Sequence, residues 1–245
     1  IVRKKYKNLL IITPGIRLPG DSSNDQVRVM TPNEAFENDT SWEQAQGFVE
    51  RLGKTAKSLD LGFGVKFNNT LIVENHRNFF PDTEKVMYLS GTPLHVLGIN
   101  LVKQFRSKFG DKFPISFSAG VDSKNFADAV ALGLTPITVC SDFLKVGGYS
   151  RSFGYFKDLN SRMEVLNVFN IENYILNAYG NKEKATQNIG IFSEQEINNS
   201  QMNSLEDLLL SMDGEAKQQL ISEAKILNTN TYFEESCSNR RYGFE

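Results

Sequence analysis

Short apolar runs and stretches of helical period take turns along this chain. Residues 8–13 (Asn-Leu-Leu-Ile-Ile-Thr) are almost wholly apolar, which suits a strand buried on both faces. Residues 61–67, 114–118 and 136–140 are further short apolar runs, and each reads as a strand. Helical spacing fills much of the rest. Over residues 40–59, Trp42, Ala45, Phe48, Val49, Leu52 and Ala56 recur every three or four positions, with Thr40 or Ser41 as the cap. Residues 93–109 carry Leu94, Leu97, Ile99, Leu101, Val102, Phe105 and Phe109 between an opening Pro93 and a closing Gly110. Asn125, Phe126, Ala129, Val130 and Leu132 form a further helical pattern between the last two strands.

Strand, helix, strand is the order of a right-handed parallel crossover, so the pattern predicts an α/β fold. In an α/β barrel the loops at the carboxyl ends of the strands bind ligands, often a phosphate after the last two strands. The chain has candidates there. Ala119 and Gly120 follow one strand, and Cys140, Ser141 and Asp142 follow the next. Ser90, Gly91 and Thr92 precede the helix that starts at Pro93, where free backbone amides receive an anion or simply end a helix cap. Lys66, within a strand, either faces inward to an anionic ligand or a reduced flavin, or points to solvent or pairs with a local carboxylate. Asn68, Asn69 and Thr70 offer donors and acceptors to the edge of a heterocycle, or an Asx turn. Residues 71–92 read as a long connection of the kind that does binding. Lys145 to Arg151 is a basic, Gly-containing loop that closes over a ligand or leads out of the barrel. Residues 181–203 read as a linker, with short amphipathic helices after it around Leu205–Met212 and Leu220–Ala224.

Composition narrows the class. The chain has 245 residues, 40% hydrophobic and 23% charged, enough for one large α/β domain or two small ones. A net charge of −2 argues against a nucleic-acid or membrane-surface partner. Two cysteines far apart, Cys140 and Cys237, make neither a disulfide framework nor a thiolate metal site, and Cys140 is expected to be buried at a strand end. His76 and His95 alone build no metal centre. A cytoplasmic protein with no metal is the expectation. The chain starts Ile-Val-Arg-Lys-Lys, so a fragment or an excised piece is expected.

Two resemblances add to this. Thr13-Pro14-Gly15-Ile16-Arg17, Asp25-Gln26-Val27-Arg28 and Met30-Thr31-Pro32 with Glu34-Ala35 resemble the strand, phosphate loop and helix start of orotidine 5′-phosphate decarboxylases. The resemblance implies an alternative phosphate site at Gln26 and Arg28. It departs from that family further on. No strand ending in Gly-Arg follows, and Asp122, Lys124 and Asp128 are spaced one residue too wide for the family's Asp-x-Lys-x-x-Asp array.

The longer resemblance runs from Gly62 to about residue 160. It rests on Gly62-Phe-Gly-Val-Lys66, Asn69-Thr70, Asn75-His76-Arg77, Met87-Tyr88-Leu89-Ser90-Gly91, Pro93-Leu94-His95, Pro114 to Asp122, Val139-Cys140 with Asp142, and Gly147-Gly148-Tyr149. These are similar to the family named for a putative selenate reductase subunit, which carries an FMN barrel of the dihydropyrimidine and dihydroorotate dehydrogenase type. The resemblance implies a partial (β/α)8 (TIM) barrel of about four βα units with a helical C-terminal extension. It implies bound FMN, with Lys66, Asn69, Thr70, Ser90, Gly91, Ala119, Gly120, Cys140 and Ser141 as cofactor-binding residues. It implies no catalytic residue that can be named. Ile226 to Asn230, Tyr232 and Arg240-Arg241-Tyr242 resemble the segment that leads to the family's ferredoxin-like domain, but the cluster cysteines are absent, so no iron–sulfur cluster is expected in this chain.

The expected organisation is 1–36 decarboxylase-like, 37–160 the C-terminal half of a flavin-type barrel, and 161–245 a helical, partly disordered extension. Four strands do not close an eight-stranded barrel. A truncated product, a chimera or a subunit completed by a homodimer partner or a missing barrel half is therefore expected. Three functions compete: an FMN-dependent oxidoreductase domain, a nucleotide-phosphate-binding decarboxylase-like barrel, and a catalytically inactive structural or partner domain.

Overall fold

A computed structural model describes residues 37–75, 80–190, 212 and 214–238. Within them the chain is α/β, with few strands and a helical C-terminal part, as in a partial TIM barrel. Its elements are α1 (Trp42–Ser58), β1 (Val65–Phe67), β2 (Leu71–Glu74), β3 (Val86–Leu89), α2 (Pro93–Phe109), β4 (Ile115–Phe117), α3 (Phe126–Ala131), α4 (Ser152–Val165), α5 (Ile171–Asn177), α6 (Lys182–Asn188) and α7 (Gly214–Tyr232). The strand at 8–13 and the phosphate loop at Gln26 and Arg28 lie outside the described residues.

β1 and β4 pair in parallel, Val65 with Ile115, Lys66 with Ser116 and Phe67 with Phe117. The strand expected at 136–140 shrinks to one parallel bridge, Phe117 to Ile137, flanked by Phe117 N–H to the Pro136 carbonyl and Thr138 N–H to the Phe117 carbonyl. Among the described residues no next strand pairs with its far edge, so Val139 and Cys140 have no ladder to join. The expected crossover β4–α3–Ile137 is therefore present, with a shortened second strand.

The stretch 71–92, read as a loop, contains an antiparallel hairpin. Leu71 faces Leu89 and Val73 faces Met87 on the core side, while Tyr88 faces solvent. Asn75 ties its loop by donating to the Phe80 and Glu84 carbonyls at 2.9 and 3.0 Å.

α1 opens with a capping box between Ser41 and Gln44. α2 is apolar almost all round because it is covered on two sides. One side packs on Phe67, Ile115 and Phe117, and the other meets α7. Gly98 allows the close approach, since a Cβ there would stand 2.7 Å from the Ala119 Cβ. Its last turn ends on Gly110 at φ 60°.

The C-terminal helices are docked, not strung out. Lys182–Asn188 is helical where a linker was expected. Asn228, fully buried, donates to the Ala131 and Ile175 carbonyls at 3.0 and 2.8 Å, which joins α3, α5 and α7. Arg106 of α2 reaches the Lys225 carbonyl at 3.1 Å, and Lys225 pairs with Asp111 at 2.7 Å. No helix among the described residues is long and apolar enough to cross a membrane.

Candidate functional site

The strands of a parallel sheet deliver their carboxyl ends to one side, and the loops that carry Gly91, Gly120 and Ser141 meet one another. Ser118 N–H donates to the Phe67 carbonyl at 2.6 Å, so the Asn68–Thr70 segment and the Ala119–Gly120 loop leave adjacent strand ends. Gly120, at φ 56°, lies against Gly91: a Cβ on it would be 2.7 Å from Thr92 Cα. A Cβ on Gly91 would in turn touch the Ser141 Cβ at 3.4 Å. Three loops from three elements thus converge on Gly91, Gly120 and Ser141. The Gly91, Gly120 and Ser141 amides donate to no acceptor among the described residues.

Lys66 and Ser116 share the face of the β1–β4 pair opposite the buried Ile115, Phe67 and Phe117. That face is half-open, and it corresponds to the inner wall of a barrel. Asn69, Thr70 and Ser90 are exposed at the rim, whereas Ala119 is buried. Cys140 is exposed, not buried, because its strand stops at Ile137.

Asn68 follows the last residue of β1. Its carboxamide is buried, and neither Oδ1 nor Nδ2 has a hydrogen-bond partner among the described residues. A buried amide left unpaired costs on the order of 1–3 kcal/mol. This donor and acceptor at a strand end lie near loops whose Gly91, Gly120 and Ser141 amides have no acceptor among the described residues, which gives the region both polar-edge and anion-binding capacity.

Two further features of the site take their partners only in the fold. The first is a buried hub at Asp142. Arg151 Nε and Nη2 each donate to it at 2.9 Å, Tyr155 Oη at 2.6 Å and Lys145 Nζ at 3.0 Å. Burial alone would raise the Asp142 pKa, but these donors hold it well below the usual carboxylate range. The Lys145–Arg151 loop is therefore folded onto Asp142, which leaves Leu144, Val146 and Tyr149 exposed. The second is His95, fully buried with Nδ1 2.9 Å from the Ala119 carbonyl oxygen. Desolvation lowers its pKa to about 4, so the ring is neutral.

The decarboxylase-like triad does not assemble. Asp122 caps the Lys124 amide at 2.8 Å, Lys124 is exposed, and Asp128 lies on α3 paired with Arg162 at 2.7 Å and Tyr179 at 2.7 Å.

A parallel β1–β4 pair with a further parallel bridge at Ile137, backed by helices, is consistent with part of a TIM barrel. The family described as "Oxidoreductase YgfK, N-terminal TIM-barrel domain" matches residues 23–189, and this chain belongs to it. It is 40% identical over 126 residues to the protein called "Putative oxidoreductase YgfK" in Escherichia coli strains K12 and O157:H7. That match takes in 51% of this chain but 12% of the relative, so the chain answers to a small part of that protein's length. A 42-residue segment is 55% identical to the orotidine 5′-phosphate decarboxylase of Prochlorococcus marinus strain AS9601, 17% of either chain. No solved structure matches the chain.

Proposed function

We propose that this oxidoreductase-family domain binds FMN, with the flavin phosphate held by the loops at Gly91, Gly120 and Ser141. The observation that carries this reading is the convergence of those loops, which follow β3, β4 and the Ile137 strand, with amides that donate to no acceptor among the described residues. Bound FMN would supply the hydride and electron transfer.

The chain's own residues bind and orient. Gly91, Gly120 and Ser141 offer backbone donors to the phosphate. Asn68 offers one donor and one acceptor to a heterocycle edge, with Asn69 and Thr70 beside it at the rim. Lys66 places a positive charge on the inner wall, where it favours an electron-rich ring. The open inner wall calls for further barrel strands, from a second copy or from a longer chain.

The test is retention of colour. Purified protein incubated with FMN and passed through a desalting column should keep the flavin absorbance bands. A colourless eluate from folded protein would defeat the reading. The decarboxylase-like segment supports a second reading, a nucleotide phosphate held at Gln26 and Arg28. A thermal shift with a ribonucleoside monophosphate that Gln26→Ala abolishes would favour it instead.

A further inference from the structure

The C-terminal helix reaches the site from behind. α7 ends at Tyr232, whose hydroxyl is 2.8 Å from His95 Nε2. On the other side of the ring, His95 Nδ1 meets the Ala119 carbonyl at 2.9 Å. A carbonyl only accepts, so Nδ1 carries the proton, Nε2 carries the lone pair, and the tyrosine donates. The Asn125 amide nitrogen lies 3.4 Å from that same protonated Nδ1, which leaves it nothing to donate to there. It donates to the Gly120 carbonyl at 3.0 Å, and its oxygen accepts from the Asp122 amide at 2.9 Å.

His95 and Asn125 therefore hold the carbonyls of two consecutive residues. In a trans peptide the carbonyl and the following N–H point in opposite directions. Pinning the Ala119 and Gly120 oxygens on the buried side turns the Gly120 and Val121 N–H groups to the other side. Neither N–H has an acceptor among the described residues. Two successive amides at a glycine with φ 56° make an anion-receiving concavity.

We infer that Tyr232 is a positioning residue for this loop: through His95 it fixes the peptide planes that aim the Gly120 and Val121 amides at the ligand's phosphate. This rests on the phosphate reading of the pocket. It makes α7, 137 positions from His95 at its end, part of the binding site and not a mere cover for the barrel.

Tyr232→Phe in the full chain keeps the ring and removes the donor. FMN and riboflavin are titrated against wild type and variant, and the Gly120 and Val121 amide resonances are followed. FMN affinity should fall about fivefold, the worth of one hydrogen bond, with riboflavin affinity unchanged. Both amide resonances should move in the ligand-free variant. Lys225→Gln loosens α7 from Asp111 without touching His95. It should lower the melting temperature and leave the FMN-to-riboflavin ratio alone. Equal losses for both flavins, or an unchanged FMN affinity, would overturn the inference. If wild type binds FMN no more tightly than riboflavin, the phosphate reading fails separately. The unliganded amide resonances then decide positioning: unmoved resonances in Tyr232→Phe would overturn it.

Discussion

Gly120 packs backbone to backbone on the Gly91–Thr92 turn, leaving no room for a side chain: a Cβ would stand 2.7 Å from Thr92 Cα. Gly120→Ala adds that Cβ at a left-handed φ of 56°. Strain and overpacking together should cost about 3 kcal/mol. Urea denaturation measures this, and a neutral substitution would show that the two loops are not in contact.

The pH dependence of stability follows from His95. Its ordinary pKa of 6.5 applies to the unfolded chain, and about 4 to the folded one. Between those values the unfolded state takes up a proton that the folded state refuses. Stability should thus be flat above about 6.5 and fall as the pH drops toward 4, by at most roughly 3 kcal/mol from this group. Melting curves of wild type and His95→Gln test it. The slopes from carboxylates such as Asp142 are common to both and cancel. A wild-type advantage that does not change with pH would contradict the assignment.

Asn68 should trade stability against binding. Its carboxamide has no partner among the described residues, so replacing it with the similarly sized side chain in Asn68→Leu removes a desolvation cost. The ligand-free variant should gain about 1 kcal/mol and bind FMN more weakly. Calorimetric unfolding with and without FMN reads both effects. A destabilised variant would mean that the amide has a partner in the free protein.

Asp142 should govern the order of the Lys145–Arg151 loop. Asp142→Ala removes the acceptor shared by Arg151, Tyr155 and Lys145. With Arg151 and Lys145 partly exposed and screened, the loss should be about 2 kcal/mol. Limited proteolysis should then cut between residues 145 and 151. Unchanged resistance would assign the loop's order to its aromatic contact, Tyr149 on Phe143.

Local signals in the sequence located the local structure. Pro93 and Gly110 bracket α2 at the expected limits, because helix start and stop chemistry lies in adjacent residues. The glycines and small residues at strand ends also marked the loops that converge. The hairpin leaves no local signal, because Leu71-Ile-Val-Glu74 and Val86-Met-Tyr-Leu89 are separated by a polar stretch far longer than a tight turn. The last strand is shorter than its apolar run, because apolar residues say nothing about which neighbour pairs with them. The His95 connections could not be read at all. Its partners lie 24 and 137 positions away, and only the fold brings them together.

The proposed phosphate grip at Gly91, Gly120 and Ser141 is tested most directly by titrating FMN against the purified chain, following flavin fluorescence, with inorganic phosphate as competitor. The account predicts a saturable change that phosphate reverses and that riboflavin reproduces only weakly. No saturable change, or identical curves for FMN and riboflavin that phosphate leaves unaffected, would contradict it.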